Sequence, residues 1–181
     1  MSARMLLLIS VLLPAAAGAC GHQRWAVKTG TDHEAREVNL SYSVPTTVEN
    51  LDALSRPSRL PATHRVKPVE LSVYLIKATL VEYKRARDGD YRLVLKGRDG
   101  NTLVAAIPAP NCVGSASPFA SGVSNARREF NARFKASTAF RRAHTPVTVK
   151  GVGFFDERRR QTGMAPNSIE LHPVIDIRFG G

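Results

Sequence analysis

The chain has 181 residues, with 26 Lys or Arg against 15 Asp or Glu and a formal net charge of +11 at pH 7. That length supports one domain with a proper core, and the charge favours anionic partners: nucleic acid, lipopolysaccharide, acidic glycans or lipid headgroups. Its only long apolar run, Met5 to Leu13, is about half of the ~20 residues a spanning helix needs, which argues against a transmembrane anchor.

Residues 1–19 read as a signal peptide. Arg4 gives a positive start, Met5 to Leu13 the apolar segment, and Ala17-Gly18-Ala19 the small-x-small pattern that precedes cleavage, here before Cys20. The expected address is periplasmic or secreted. The remaining chain keeps two cysteines, Cys20 and Cys112, which in an oxidising compartment form a disulfide most simply. The competing fate of Cys20 is a lipid anchor, as a cysteine directly follows the cleavage site. The two exclude each other, since an acylated Cys20 has no thiol to pair.

Residues 20–67 read as an N-terminal arm and linker. Arg24 to Lys28 alternates like a short strand, with Trp25 and Val27 on one face and a break at Thr29-Gly30-Thr31-Asp32. Thr46 with Glu49 resembles a capping box opening a short helix on which Val48, Leu51 and Leu54 share a face. Pro57, Pro61 and Pro68 then predict extended chain over 55–68.

From residue 68 to 181 the pattern predicts a β domain. Val69, Leu71, Val73 and Leu75 alternate; the phase then slips to Ile76, Ala78 and Leu80, as a bulge or sharp coil in one long strand would require. Tyr91, Leu93 and Leu95 mark a second strand, and Asp99-Gly100 a hairpin turn into a third, Thr102 to Ile107. A loop with Pro108, Pro110, Gly114 and Pro118 surrounds Cys112. Ser124 then caps an expected helix with Ala126, Phe130 and Phe134 as its apolar stripe and Arg128 and Lys135 opposite. Strands Val147 to Phe155 and Ile169 to Phe179 complete the series. Three strands, a helix and two strands, beginning with a long bent strand, is the order of a mainly β, OB-fold-like five-stranded barrel. The rival arrangement is an open five-stranded α+β sandwich.

The chemistry-bearing motifs are sparse. The chain has no phosphate-binding loop, HExxH, GxSxG, EF-hand loop or paired CxxC, so no metal or cofactor is expected. Gly151 and Gly153 inside a strand read as sites of close backbone packing. Asp88-Gly89-Asp90 is similar to the acidic turn of staphylococcal-nuclease-like OB domains. Those enzymes also carry a carboxylate pair after the third strand, where this chain has Ile107-Pro108-Ala109-Pro110-Asn111. Glu170, His172 and Asp176 are expected on the outer face of the last strand, opposite Leu171, Ile175 and Ile177. A His between carboxylates can serve as a base or ligand. With Asp156, Glu170 and His172 form the catalytic alternative, a degenerate nuclease-like hydrolase.

Two stretches carry a family likeness. RWAVKTGTD at 24–32 and GVGFFDERRRQTGMAPNSIELHPV at 151–174 make the chain resemble a family of uncharacterised exported bacterial proteins. In that pattern a loop reads aspartate, two residues, histidine, glycine, glutamine. Asp156 and Gln161 keep its ends, and Arg159 and Arg160 stand where the His and Gly would be. The resemblance implies fold and export more than activity.

OB-folds bind along strands two and three, between the first–second and fourth–fifth loops. Those places hold Lys84, Arg85 and Arg87; Arg92 and Lys96; and Arg158, Arg159 and Arg160. The expectation is a non-enzymatic protein that binds a polyanion, nucleic acid or acidic glycan, through these residues. A protein-interaction module with no small ligand is the other alternative, and a solvated basic rim is the plain reading of the same charges.

Overall fold

A computed structural model describes residues 20–180, and its first element is a helix where alternation predicted a strand. The expected signal segment lies outside the described residues. Helix α1, Trp25–Thr29, buries Val27 and Lys28 while Trp25 stays partly exposed, so Trp25 and Val27 do not share a face. Five alternating residues fit one helical turn as well as a strand. The Thr29 hydroxyl donates to the Trp25 carbonyl (2.8 Å), and Gly30 closes the turn at φ 69°.

The arm continues through a 3-10 turn, His33–Glu37, a short strand β1, Val44–Thr46, and helix α2, Val48–Asp52. Thr47, not Thr46, is the α2 cap: its hydroxyl accepts from the Asn50 amide at 3.2 Å. Glu49 instead accepts from the Asp99 amide (3.1 Å), tying α2 to a distant hairpin. Residues 55–68 hold no helix or strand, yet they are not loose. Arg65 is buried, its guanidinium on Asp32 at 2.6 Å and on the Val27 carbonyl at 2.9 Å.

Strand β2 runs Val73–Arg85, β3 Tyr91–Lys96 and β4 Thr102–Ile107. Val69–Leu71, expected as the start of the first strand, is a 3-10 turn, and the register shift falls between Leu80 and Glu82 rather than at Leu75-Ile76. The shift sits where β2 is paired on both edges: β5 faces it from Val73 to Tyr83, and β3 from Thr79 to Arg85. Helix α3, Ala120–Arg133, starts before the expected Ser124, after Ser117 accepts from the Phe119 amide (3.1 Å). Ala126 and Phe130 are its buried stripe, and Phe134 ends it. Strand β5, Arg141–Phe155, begins earlier than predicted because its exposed first turns still pair with β2; β6, Ile169–Phe179, has the expected bounds.

The sheet has six strands in the order β1-β2-β3-β4-β6-β5, one more than expected, because the arm supplies β1 alongside β2. β5 also pairs with β2, so the run β2-β3-β4-β6-β5 returns to its start. Ile76, Leu80, Leu93, Leu95, Leu103, Ile107, Val149, Leu171 and Ile177 fill the inner side with Phe130 of α3. Each such side chain contributes roughly 1.5–3 kcal/mol by leaving water. Gly153 permits a close crossing: a Cβ there would lie 2.6 Å from the Val69 carbonyl oxygen.

Candidate functional site

Strand alternation gives the sheet a second face, and the arm makes it an interior. Asp90, Arg92 and Val94 alternate along β3 opposite the core residues Leu93 and Leu95. Arg92 pairs with Ala106 and Val94 with Val104; Val104 and Phe154 both pair with Glu170. The outer face of β3, β4, β6 and the end of β5 thus carries Asp90, Arg92, Glu170, His172, Phe154 and Asp156. Helix α1 and the 157–168 loop roof it. Gly163 brings that loop down at φ 79°, where a Cβ would meet Val94 Cγ1 at 2.5 Å.

Glu170 and His172 do face away from Leu171, but the expectation of exposed strand residues is corrected. Glu170 is 1% and His172 2% exposed. Asp176 does not join them; it is half-buried beside Arg178 at 3.3 Å, because the β5–β6 register shifts at Gly151.

The cluster is a chain of contacts. Arg92 Nη1 donates to Gln161 Oε1, and Gln161 Nε2 donates to Glu170 Oε1 at 2.8 Å. Glu170 Oε2 lies 3.8 Å from His172 Nδ1, and His172 Nε2 lies 3.5 Å from Asp90 Oδ2. The other Asp90 oxygen accepts from the Ala109 amide (3.0 Å). The segment after the third strand, which has no carboxylate pair, therefore holds an acid through its backbone. Lys28 of α1 reaches Asp156 at 3.4 Å and sits 5.1 Å over the Phe154 ring. Both His172 ring nitrogens and Asp156 Oδ2 are buried with no hydrogen-bond partner among the described residues.

Burial, with Asp88 close by, pushes the Asp90 carboxyl up to about 7 against the fields of Lys28 and Arg92. Burial also raises Glu170, opposed by Lys28, Arg92 and the Gln161 amide. Burial and the charge of Lys28 hold His172 well below its usual 6.5, so its ring is neutral at physiological pH.

Three of the expected anion-binding residues come together in front of this cluster. Lys84, Arg92 and Arg160 line one cavity of about 180 Å³ with Phe140 and Gln161. Lys84 Nζ sits 4.4 Å over the Phe140 ring, and none of the three cations has a carboxylate partner among the described residues. Arg87 lines a neighbouring cavity of about 440 Å³ that shares Lys84 and Arg92 and also presents Asp88, His22 and Cys20. The rest stand apart. Arg85, Arg158 and Arg159 are exposed and line neither cavity, with Arg159 on Glu157 at 3.5 Å. Lys96 lies at the far end of β3, in a separate hollow with Lys77 and Arg98.

Lys28, Asp90, Gln161 and Phe140 were missed as one site. Lys28 and Gln161 fall within the two stretches that carry the family likeness, and the fold joins those stretches at Asp156. Phe140 left no signal, as its neighbourhood has no periodic pattern. Tyr91 is not a free stacking platform: the Arg127 guanidinium covers it at 3.3 Å and Phe130 packs at 4.9 Å.

Cys20 and Cys112 are joined by a disulfide that spans 92 residues. No described helix is long and apolar enough to cross a membrane. No protein-family model matches the chain, and no curated protein matches it.

Proposed function

We propose that this is an exported, OB-fold-like protein that binds a polyanion, nucleic acid or acidic glycan, through the groove of Lys84, Arg92 and Arg160. One observation carries the reading: cations from the end of β2, from β3 and from the β5–β6 loop line one cavity without acidic partners. Unpaired cations cost little beside solvent, but three converging on one space repel one another, and an anion relieves that repulsion. The groove lies along β3 between the β2–β3 and β5–β6 loops, where OB barrels take ligands. The OB assignment rests on the strand order and on the β5–β2 pairing. Export rests on residues 1–19 and accords with the disulfide. Kinship with the exported bacterial family rests on the two quoted stretches.

The test is a titration of labelled single-stranded oligonucleotide at several salt concentrations. Each phosphate contact contributes a slope of about −0.7 in log affinity against log salt. A Lys84→Ala/Arg160→Ala double variant should flatten the slope by about 1.4, whereas Arg158→Ala/Arg159→Ala should change it less. Equal slopes for wild type and the groove variant would overturn the assignment.

A further inference from the structure

Gln161 occupies an unusual position. Its amide oxygen faces the one groove cation that also belongs to the buried cluster, and its amide nitrogen holds a buried carboxylate behind it. A neutral side chain on a guanidinium is a weak partner compared with a charged oxygen, since charge-assisted pairs are roughly twice as strong. We propose that Gln161 holds the place of a phosphoryl group: a phosphate monoester entering the Lys84–Arg92–Arg160 cavity takes Arg92 from Gln161, and its binding draws a proton into the Asp90–His172–Glu170 cluster.

This rests on the anion-groove reading and names its ligand. The cavity of about 180 Å³ suits a compact group with several charged oxygens, which an arginine fork and two further cations can share. The organic part of the ester extends into the adjoining cavity of about 440 Å³, which shares Lys84 and Arg92. Asp88 in that wall disfavours a second anionic group there.

The proton follows from electrostatics. Asp90 is faced by Asp88, Arg92, Lys28, His172, the Ala109 amide and, across its turn, Arg127. Glu170 is faced by Gln161, Arg92, Lys28, Arg159 and His172; His172 by Asp90, Glu170, Lys28, Arg92, Asp88 and Asp156. Arg92 opposes protonation of all three groups. A dianion on Arg92 cancels that field, while the Gln161 amide nitrogen keeps its hold on Glu170. The change raises proton affinity in the cluster, and the unpartnered His172 nitrogens leave room for the proton between two acids.

The experiment is calorimetric titration of the full protein with 5′-AMP at pH 7.5, in two buffers of different ionisation enthalpy. Wild type should take up a measurable fraction of a proton per AMP bound, and Asp90→Asn should bind AMP with most of that uptake gone. Gln161→Ala should bind several-fold tighter, because the place-holder is removed. AMP binding without proton uptake, uptake unchanged in Asp90→Asn, or weaker binding by a folded Gln161→Ala would each overturn the proposal. If AMP fails to bind while the oligonucleotide binds with the salt dependence above, the phosphoryl site falls and the groove stands. If neither binds, both fall.

Discussion

His172 Nε2 lies 3.5 Å from Asp90 Oδ2 inside the protein, an imidazole and a carboxyl whose proton affinities are displaced in opposite senses. Folded Asp90 keeps its proton up to about 7 against an ordinary 3.8. Its contribution to stability is therefore full below about pH 4 and lost as pH rises through 7. Folded His172 resists protonation, so its contribution is full above about 6.5 and lost as pH falls below that.

These slopes oppose one another just below about pH 6.5, and single variants should separate them there. Relative to wild type, Asp90→Asn should make stability climb more with pH, and His172→Gln should make it climb less, each by up to about 1.4 kcal/mol per pH unit. Glu170 adds an Asp90-like slope to all three proteins. Above pH 7 the Asp90→Asn protein should be the more stable, by about 4 kcal/mol at most. Urea unfolding at half-unit pH steps measures this, and parallel profiles would refute it.

The Arg24–Glu70 pair should be the costliest ionic contact to break. Arg24 donates to both Glu70 oxygens at 2.7 and 2.6 Å, and Glu70 also accepts from the Phe155 and Val66 amides at 2.8 and 2.7 Å. Glu70→Gln leaves the Arg24 charge buried without its counterion, which costs about 3–5 kcal/mol for a buried pair. Denaturant unfolding should show that loss together with earlier proteolysis within residues 20–67. A change under 1 kcal/mol, by the same measurement, would contradict it.

Reduction should destabilise without unravelling the sheet. The Cys20–Cys112 bridge closes a loop spanning 92 residues, for which chain entropy gives an upper value of about 4–5 kcal/mol. A Cys20→Ser/Cys112→Ser variant should keep its far-ultraviolet dichroism and lose up to that much stability. Intact mass with alkylation, with and without reductant, checks the bridge. Two free thiols in protein purified from its own compartment, or a diacylglycerol on Cys20, would count against it.

The 157–168 loop should depend on Gly163. Its φ of 79° and the 2.5 Å approach of a Cβ to Val94 leave no room for a side chain. Gly163→Ala should lift the loop and cost roughly 1–3 kcal/mol. Amide exchange should rise at Gln161 and Met164, and unchanged exchange there would be the contrary result.

Sequence pattern alone located the later strands. Alternation marked Tyr91–Lys96 and Ile169–Phe179 through Leu93, Leu95, Leu171 and Ile177, and the Asp99-Gly100 turn marked Thr102–Ile107, whose apolar run is buried on both faces. The cysteine pairing was legible because only two cysteines exist. Local pattern could not separate a strand from one helical turn at Trp25–Thr29, nor place the bulge of β2, which falls where β3 and β5 pair with the same residues from its two edges. Glu170 and His172 read as outer-face residues because alternation reports which side of a sheet a residue takes, not what covers that side. Only the tertiary structure lays α1 and the Gly163 loop across that face. Burial there turns an ordinary turn aspartate and a strand histidine into a coupled pair, since the cost of charge depends on distance from water and not on sequence neighbours.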